Sequence, residues 1–256
     1  MTHIVHLLTL LGVVGVPALG WFGGQWSGGT TLVVYWFETV AACLLISARI
    51  VLQRRWAPRR GHFCYRAPSA NRRSGQSASF LTGFVVTGFA FCGAHAVFLA
   101  AFIFLLHHNG KDELAQVDWR SVGFGCLAVM AFLTIEFLVD LRSLRRWSFW
   151  HIEQLANRGL SRVVVVHLTL IFGLFAIAVT GASNALFGIF VVLKTLAALS
   201  SALPQWEPAT VPKWLSRIMN RVPNVRPGER FEDFWAKDRT DEVVRRESNE
   251  LPWVSG

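Results

Sequence analysis

Apolar residues in this chain gather into long unbroken blocks rather than alternating or recurring at a single helical period, and short stretches rich in Arg, Gly and Ser separate the blocks. A helix rising 1.5 Å per residue needs roughly 20 apolar residues to cross about 30 Å of hydrocarbon. That ruler predicts six spans, at about Ile4 to Trp21, Thr30 to Leu52, Phe80 to Leu106, Val122 to Asp140, Val163 to Val179 and Asn184 to Leu203. The predicted fold class is all-α, a polytopic transmembrane bundle. The first block carries Pro17 and several glycines and reads as a weak helix. It has no basic leader and no small-x-small cleavage pattern, so it reads as a retained span. The fifth and sixth blocks are joined by Thr180 to Ser183 alone, which predicts a tight antiparallel hairpin.

Positive charge orients the spans, because cytoplasmic loops are enriched in Lys and Arg. The loop between spans two and three holds seven arginines (54, 55, 59, 60, 66, 72 and 73), and the loop between spans four and five holds five more (142, 145, 146, 158 and 162). The opposite loops hold two cations, Lys111 and Arg120. This asymmetry predicts a multi-pass protein of the cell membrane, inner or plasma, with both termini in the cytoplasm.

Composition agrees with lipid as the solvent: 53% of residues are hydrophobic and 16% charged, too apolar for an ordinary soluble domain. A net charge of +9 would suit nucleic acid if it covered a groove or a face. Its position between and after the apolar blocks instead indicates membrane orientation, and nucleic acid is not a predicted partner. Eleven Trp and twenty Phe fit a chain that meets both headgroups and acyl chains.

Two parts are expected, a membrane domain over residues 1–203 and a cytoplasmic tail over 204–256. Within the tail, near 213–222, Trp214, Leu215, Ile218, Met219 and Val222 form one helical stripe, with Lys213, Arg217 and Arg221 off it. Such a basic amphipathic helix either lies flat on an anionic leaflet or packs on the protein's own loops. Anionic lipid headgroups are the expected partners of Arg54, Arg55, Arg59, Arg60, Arg217 and Arg221. Beyond Pro223 the mixed-charge sequence is expected to be partly disordered.

An ionisable side chain within a span costs at least a few kcal/mol at the bilayer centre, which makes each one a candidate for function. Five stand out: Glu38 in span two, His95 in span three, Glu136 in span four, His167 in span five and Lys194 in span six. Depth suggests that Glu38 meets His95 toward the outer side and that Glu136 meets His167 toward the inner side, with Lys194 available to either carboxylate. The plainer reading is that these residues are interhelical glue, worth about 1 kcal/mol or less each. No catalytic residue, metal site or cofactor is predicted. HxxxH, HExxH, GxSxG and SxxK patterns are absent, and His107 and His108 diverge as neighbours on a helix. His3, His6, His62 and His151 read as solvated residues of loops and termini, and Cys43, Cys64, Cys92 and Cys126 as unpaired thiols.

The order of several motifs is distinctive. Gly15-Val16-Pro17-Ala18-Leu19-Gly20-Trp21, Trp26-Ser27 and Tyr35-Trp36-Phe37-Glu38 are followed by Gly93-Ala94-His95-Ala96-Val97-Phe98. Then come the run from Arg162 through His167 to Gly173, and Lys194. Over roughly residues 11 to 200 the chain resembles the bacterial and archaeal membrane proteins of domain-of-unknown-function family 6498. The resemblance implies that Glu38, His95, His167 and Lys194 are recurrent polar positions and implies no activity. It also implies a further His two turns before His95, where this chain has Thr87.

Three kinds of function follow. Charged groups at mid-depth on several helices suit a transporter-like protein. A basic loop and tail suit an accessory or scaffold subunit. A His and carboxylate centre suits a membrane-embedded enzyme.

Overall fold

In the computed structural model the described residues are 2–68, 79–110, 112–161, 163–164, 183–200, 208, 210–221 and 230–253. Among them the regular structure is helical, and the one bridge of β type is the isolated pair Arg59 and Pro252. Four helices are long and apolar enough to cross a membrane: α1 (Thr2–Phe22), α2 (Gly28–Trp56), α4 (Phe80–His108) and α6 (Trp119–Leu144). They coincide with the first four predicted spans. The fifth predicted span lies almost wholly outside the described residues, and the sixth falls on α8 (Ser183–Ser200). The shorter elements are α3 (Arg60–Phe63), α5 (Asp112–Ala115), α7 over residues 149–161, and α9 (Lys213–Met219). The longer α10 spans Phe231–Glu250.

Local chemistry sets where these helices begin. Ser27 caps α2 by accepting from the Thr30 amide at 3.1 Å, and its hydroxyl donates to the Gln116 carbonyl. Asp118 caps α6, accepting from the Arg120 amide at 3.0 Å and from the Ser121 hydroxyl at 2.6 Å. The Asp118 amide donates to Thr30 Oγ1 at 2.9 Å, so α2 and α6 start at the same end. The first helix, although it contains Pro17, runs unbroken for 21 residues. A proline removes one hydrogen bond from the ladder, and a membrane-type bundle tolerates this where neighbouring groups compensate.

The chain divides into two compact units. The first contains α1, α2, α4, α6 and α8. Here α2 and α6 run parallel and α1 runs against both, a geometry set by small residues that let the backbones approach. Trp26 is wedged where Gly20 and Gly125 leave room, and Gly12 faces the Phe132 ring so closely that a methyl would come within 2.6 Å. Val13, Val34, Ala41, Val129 and Leu133 fill the seam between α1, α2 and α6. On the other side of α2, Leu32 and Tyr35 pack with Leu99, Phe102 and Leu106 of α4 and with Val191 of α8. The outward faces are apolar: Leu8, Leu19, Val97, Phe104, Phe124 and Leu127 are each at least 60% exposed. Lipid is the solvent that makes such a surface favourable.

The second unit joins residues 58–80, 148–150 and 204–256. The expectation of a partly disordered tail does not hold for residues 231–250, which form α10. Glu242 binds Arg245 and Arg246, each at 2.7 Å, and Arg246 lies over the Trp150 ring at 3.5 Å. The Arg66 carbonyl accepts from Arg245 at 2.9 Å and from Asn249 at 3.0 Å. Glu250 accepts from the Phe149 amide at 2.7 Å, capping the start of α7. Composition alone predicts disorder when nothing can repay the ordering entropy. Here helical ion pairs and fixed backbone acceptors repay it.

Candidate functional site

Two polar clusters lie within the first unit. The first is centred on α2 and α8. Glu38 stands about ten residues along α2, roughly 15 Å from its start, and Lys194 stands at a similar distance along α8. Lys194 Nζ donates to Glu38 Oε2 at 2.7 Å, and both side chains are 5% exposed. The same ammonium lies 3.2 Å from the centroid of the Tyr35 ring, one turn before Glu38. Carboxylate and ring face together satisfy a cation that water does not reach.

The fully buried His95 belongs to the same depth. Trp36 Nε1 donates to the Cys92 carbonyl at 3.1 Å, which sets α4 alongside α2 and puts His95 within a turn of the Tyr35–Glu38 level. Of the five residues singled out from the sequence, the structure thus joins Glu38 and Lys194 directly and brings His95 to their level. Glu136 is elsewhere, and His167 lies outside the described residues.

The second cluster lies toward the other end of the same helices, where Arg49 follows Glu38 by about 16 Å along α2. Arg49 Nε and Nη2 each lie 2.9 Å from Asp140 Oδ2, and the guanidinium stacks 5.2 Å from the centroid of Phe137. Asp140 Oδ1 meets His6 Nε2 at 2.8 Å. Glu136, one turn before Asp140 on α6, completes a group of one imidazole and two carboxylates whose nearest atoms all lie within 4.8 Å of one another.

This cluster contains residues that the sequence reading passed over. Arg49 and Asp140 both fall inside predicted spans, close to their ends, where a charge is easily assigned to the headgroups. The signal that identifies Asp140 is its i, i+4 spacing from Glu136, which puts two carboxylates on one face of an apolar helix. His6 was expected to be solvated. It lies instead on α1 with its imidazole against Asp140, because α1 begins near residue 2 and carries His6 into the helical bundle.

Of the other histidines, His62 departs from that expectation and His151, which is exposed, meets it. His62 is fully buried in the second unit, edge-on to Phe149 at 5.0 Å. The His151 ring centroid lies 4.2 Å from that of Trp147, and partial desolvation pushes its imidazole below the usual range, with Asp140 opposing that shift.

A family model described as a family of unknown function, DUF6498, matches residues 3–212. The chain belongs to this family. His6, Glu38, Arg49, His95, Glu136, Asp140 and Lys194 all fall within the stretch the family model covers, whereas α9 and α10 lie beyond it. No curated protein and no solved structure matches the chain. Family membership brings no activity with it.

Proposed function

We propose that the chain is a six-span, multi-pass protein of the cell membrane with both termini cytoplasmic, and that it is transporter-like, moving protons or a small ion past the Lys194–Glu38 pair. The observation that carries this reading is the burial of that pair, with Glu38 about ten residues along α2, a helix long and apolar enough to cross a membrane. A buried ion pair is a poor source of stability, since desolvating both charges offsets most of their attraction. Ionisable groups retained within spans mark ion pathways and proton relays. A pair whose carboxylate can exchange its ammonium partner for a proton or a cation provides a binding step at the centre of such a path.

The helices α1 and α4 run one way and α2, α6 and α8 the other, which is consistent with six crossings, as is the concentration of Arg at one end. In this topology Arg54, Arg55, Arg59 and Arg60 lie at the cytoplasmic headgroups. Arg217 and Arg221, beside the exposed Trp214 and Ile218, suit the same anionic surface.

Purified protein in liposomes loaded with a pH-sensitive dye, driven by a potassium diffusion potential, tests the reading. Proton flux in the wild type that disappears in a Glu38→Gln, Lys194→Met double variant of equal abundance supports it. Absence of flux in the wild type, with sodium and potassium also tested as carried ions, argues against it.

A second reading, an accessory subunit, draws on the folded second unit around α10. It predicts that removing residues 204–256 abolishes the cellular phenotype while changes at Glu38 and Lys194 alter abundance alone.

A further inference from the structure

We propose that His6, Glu136 and Asp140 form a binding site for a divalent transition-metal ion, with Zn²⁺ the ion it fits best. The three residues come from two helices and converge: their ligand atoms lie within 4.8 Å of one another. Tetrahedral zinc with bonds near 2.0 Å holds its ligands roughly 3.3 Å apart. The His6 Nε2 to Asp140 Oδ1 separation of 2.8 Å therefore has to widen by only a few tenths of an ångström. His6, with its side chain 36% exposed in the first turns of α1, has room to do so.

Arg49 is the obvious objection, since a guanidinium already neutralises Asp140. It contacts only Oδ2, through both Nε and Nη2. Oδ1 remains directed at His6, and Arg49 becomes the outer partner that fixes the carboxylate's orientation, as partners of metal-bound carboxylates commonly do. Charge also favours a cation. Two carboxylates against one guanidinium leave a net charge of −1 when His6 is neutral, so a dication meets an attractive field.

One nitrogen and two oxygens form a borderline donor set suited to Zn²⁺, Mn²⁺ or Fe²⁺ rather than to soft Cu⁺. Three protein ligands leave a further position for water or for a substrate group. This site is independent of the Lys194–Glu38 reading, because it lies about three helical turns away along α2 and shares no residue with that pair.

The test is stoichiometric metal binding by the full-length protein, without a histidine tag, stripped with chelator in detergent and then dialysed against buffered Zn²⁺. The expected result is about one Zn²⁺ per chain in the wild type, with affinity at least tenfold weaker in His6→Gln and in Glu136→Gln. Both variants leave the Arg49–Asp140 pair in place, and their thermal unfolding reports whether they fold. A His107→Gln, His108→Gln variant is expected to bind as the wild type does. Equal binding by wild type, His6→Gln and Glu136→Gln overturns the proposal, as does a wild type that takes up none of Zn²⁺, Mn²⁺ or Fe²⁺ stoichiometrically.

Discussion

Lys194 and Glu38, 156 positions apart in the chain, meet at 2.7 Å, and only about one-twentieth of either side chain is exposed. Their relationship is energetically lopsided. Together they contribute little net stability, yet removing either one is costly, because it takes a 2.7 Å counter-charge from a group that burial keeps from water.

Single and double replacement therefore should not add. Lys194→Met alone and Glu38→Gln alone are each expected to destabilise the protein, by about 3–5 kcal/mol if the remaining partner stays charged. The double variant should recover most of that loss. Thermal unfolding in detergent measures the cycle, and strictly additive losses would show that the two groups are not coupled.

Arg49→Lys is expected to be costly although it preserves charge. Two guanidinium nitrogens reach Asp140 Oδ2 at 2.9 Å and the plane stacks over Phe137, and an ammonium cannot reproduce both contacts. A loss of roughly 1–3 kcal/mol is predicted from unfolding measurements. A variant as stable as the wild type would mean that the planar contacts are unimportant.

Glycine replacements should separate by position. A Cβ on Gly29 would lie 2.8 Å from the backbone oxygens of both Ala115 and Gln116, which cannot rotate away. Gly29→Ala should cost about 1–3 kcal/mol and disturb the packing of α5 on α2. On Gly15 the same methyl meets nothing within 4 Å, so Gly15→Ala should be neutral or slightly stabilising through helix propensity. Comparing the two unfolding temperatures tests whether close backbone approach matters at Gly29.

In the second unit, Glu232 joins α10 to α9. The Ser216 hydroxyl and then the Asn220 amide donate to its carboxylate and pull its pKa down to about 2 from 4.5. A depressed carboxylate pKa stabilises the folded form at pH values above 4.5, and that contribution is lost as pH falls toward 2. A carboxyl carbon titration followed by NMR should give a midpoint near 2 for Glu232. Ser216→Ala should move it back toward the ordinary value, and an unmoved midpoint would remove Ser216 as the principal cause.

The positions of α1, α2, α4 and α6 were legible in the sequence because transfer of a helix into lipid depends on the summed hydrophobicity of a continuous run. Each residue contributes to that sum almost regardless of its distant neighbours. The prominence of Glu38, His95 and Lys194 was legible for the same reason, since a charge or imidazole stands out against an apolar run. Near the ends of the runs that contrast fades, and Arg49, Asp140 and His6 passed as interfacial residues. The tail misled differently: the sequence of α10 looks too polar to order itself, and its partners, the Arg66 carbonyl and the Phe149 amide, are backbone groups with no mark in the sequence.

Apolar run length by itself determined that the chain folds as helices suited to lipid and where the described long helices lie. Tertiary structure alone decided that Lys194 meets Glu38 rather than Glu136, and that Glu136 stands with His6 and Asp140. The reason is rotational. These helices are apolar on nearly every side, so hydropathy does not say which face turns inward. That choice is made where Gly20 and Gly125 receive Trp26 and where Gly12 receives Phe132, contacts between residues far apart in the chain that exist only once the helices have packed.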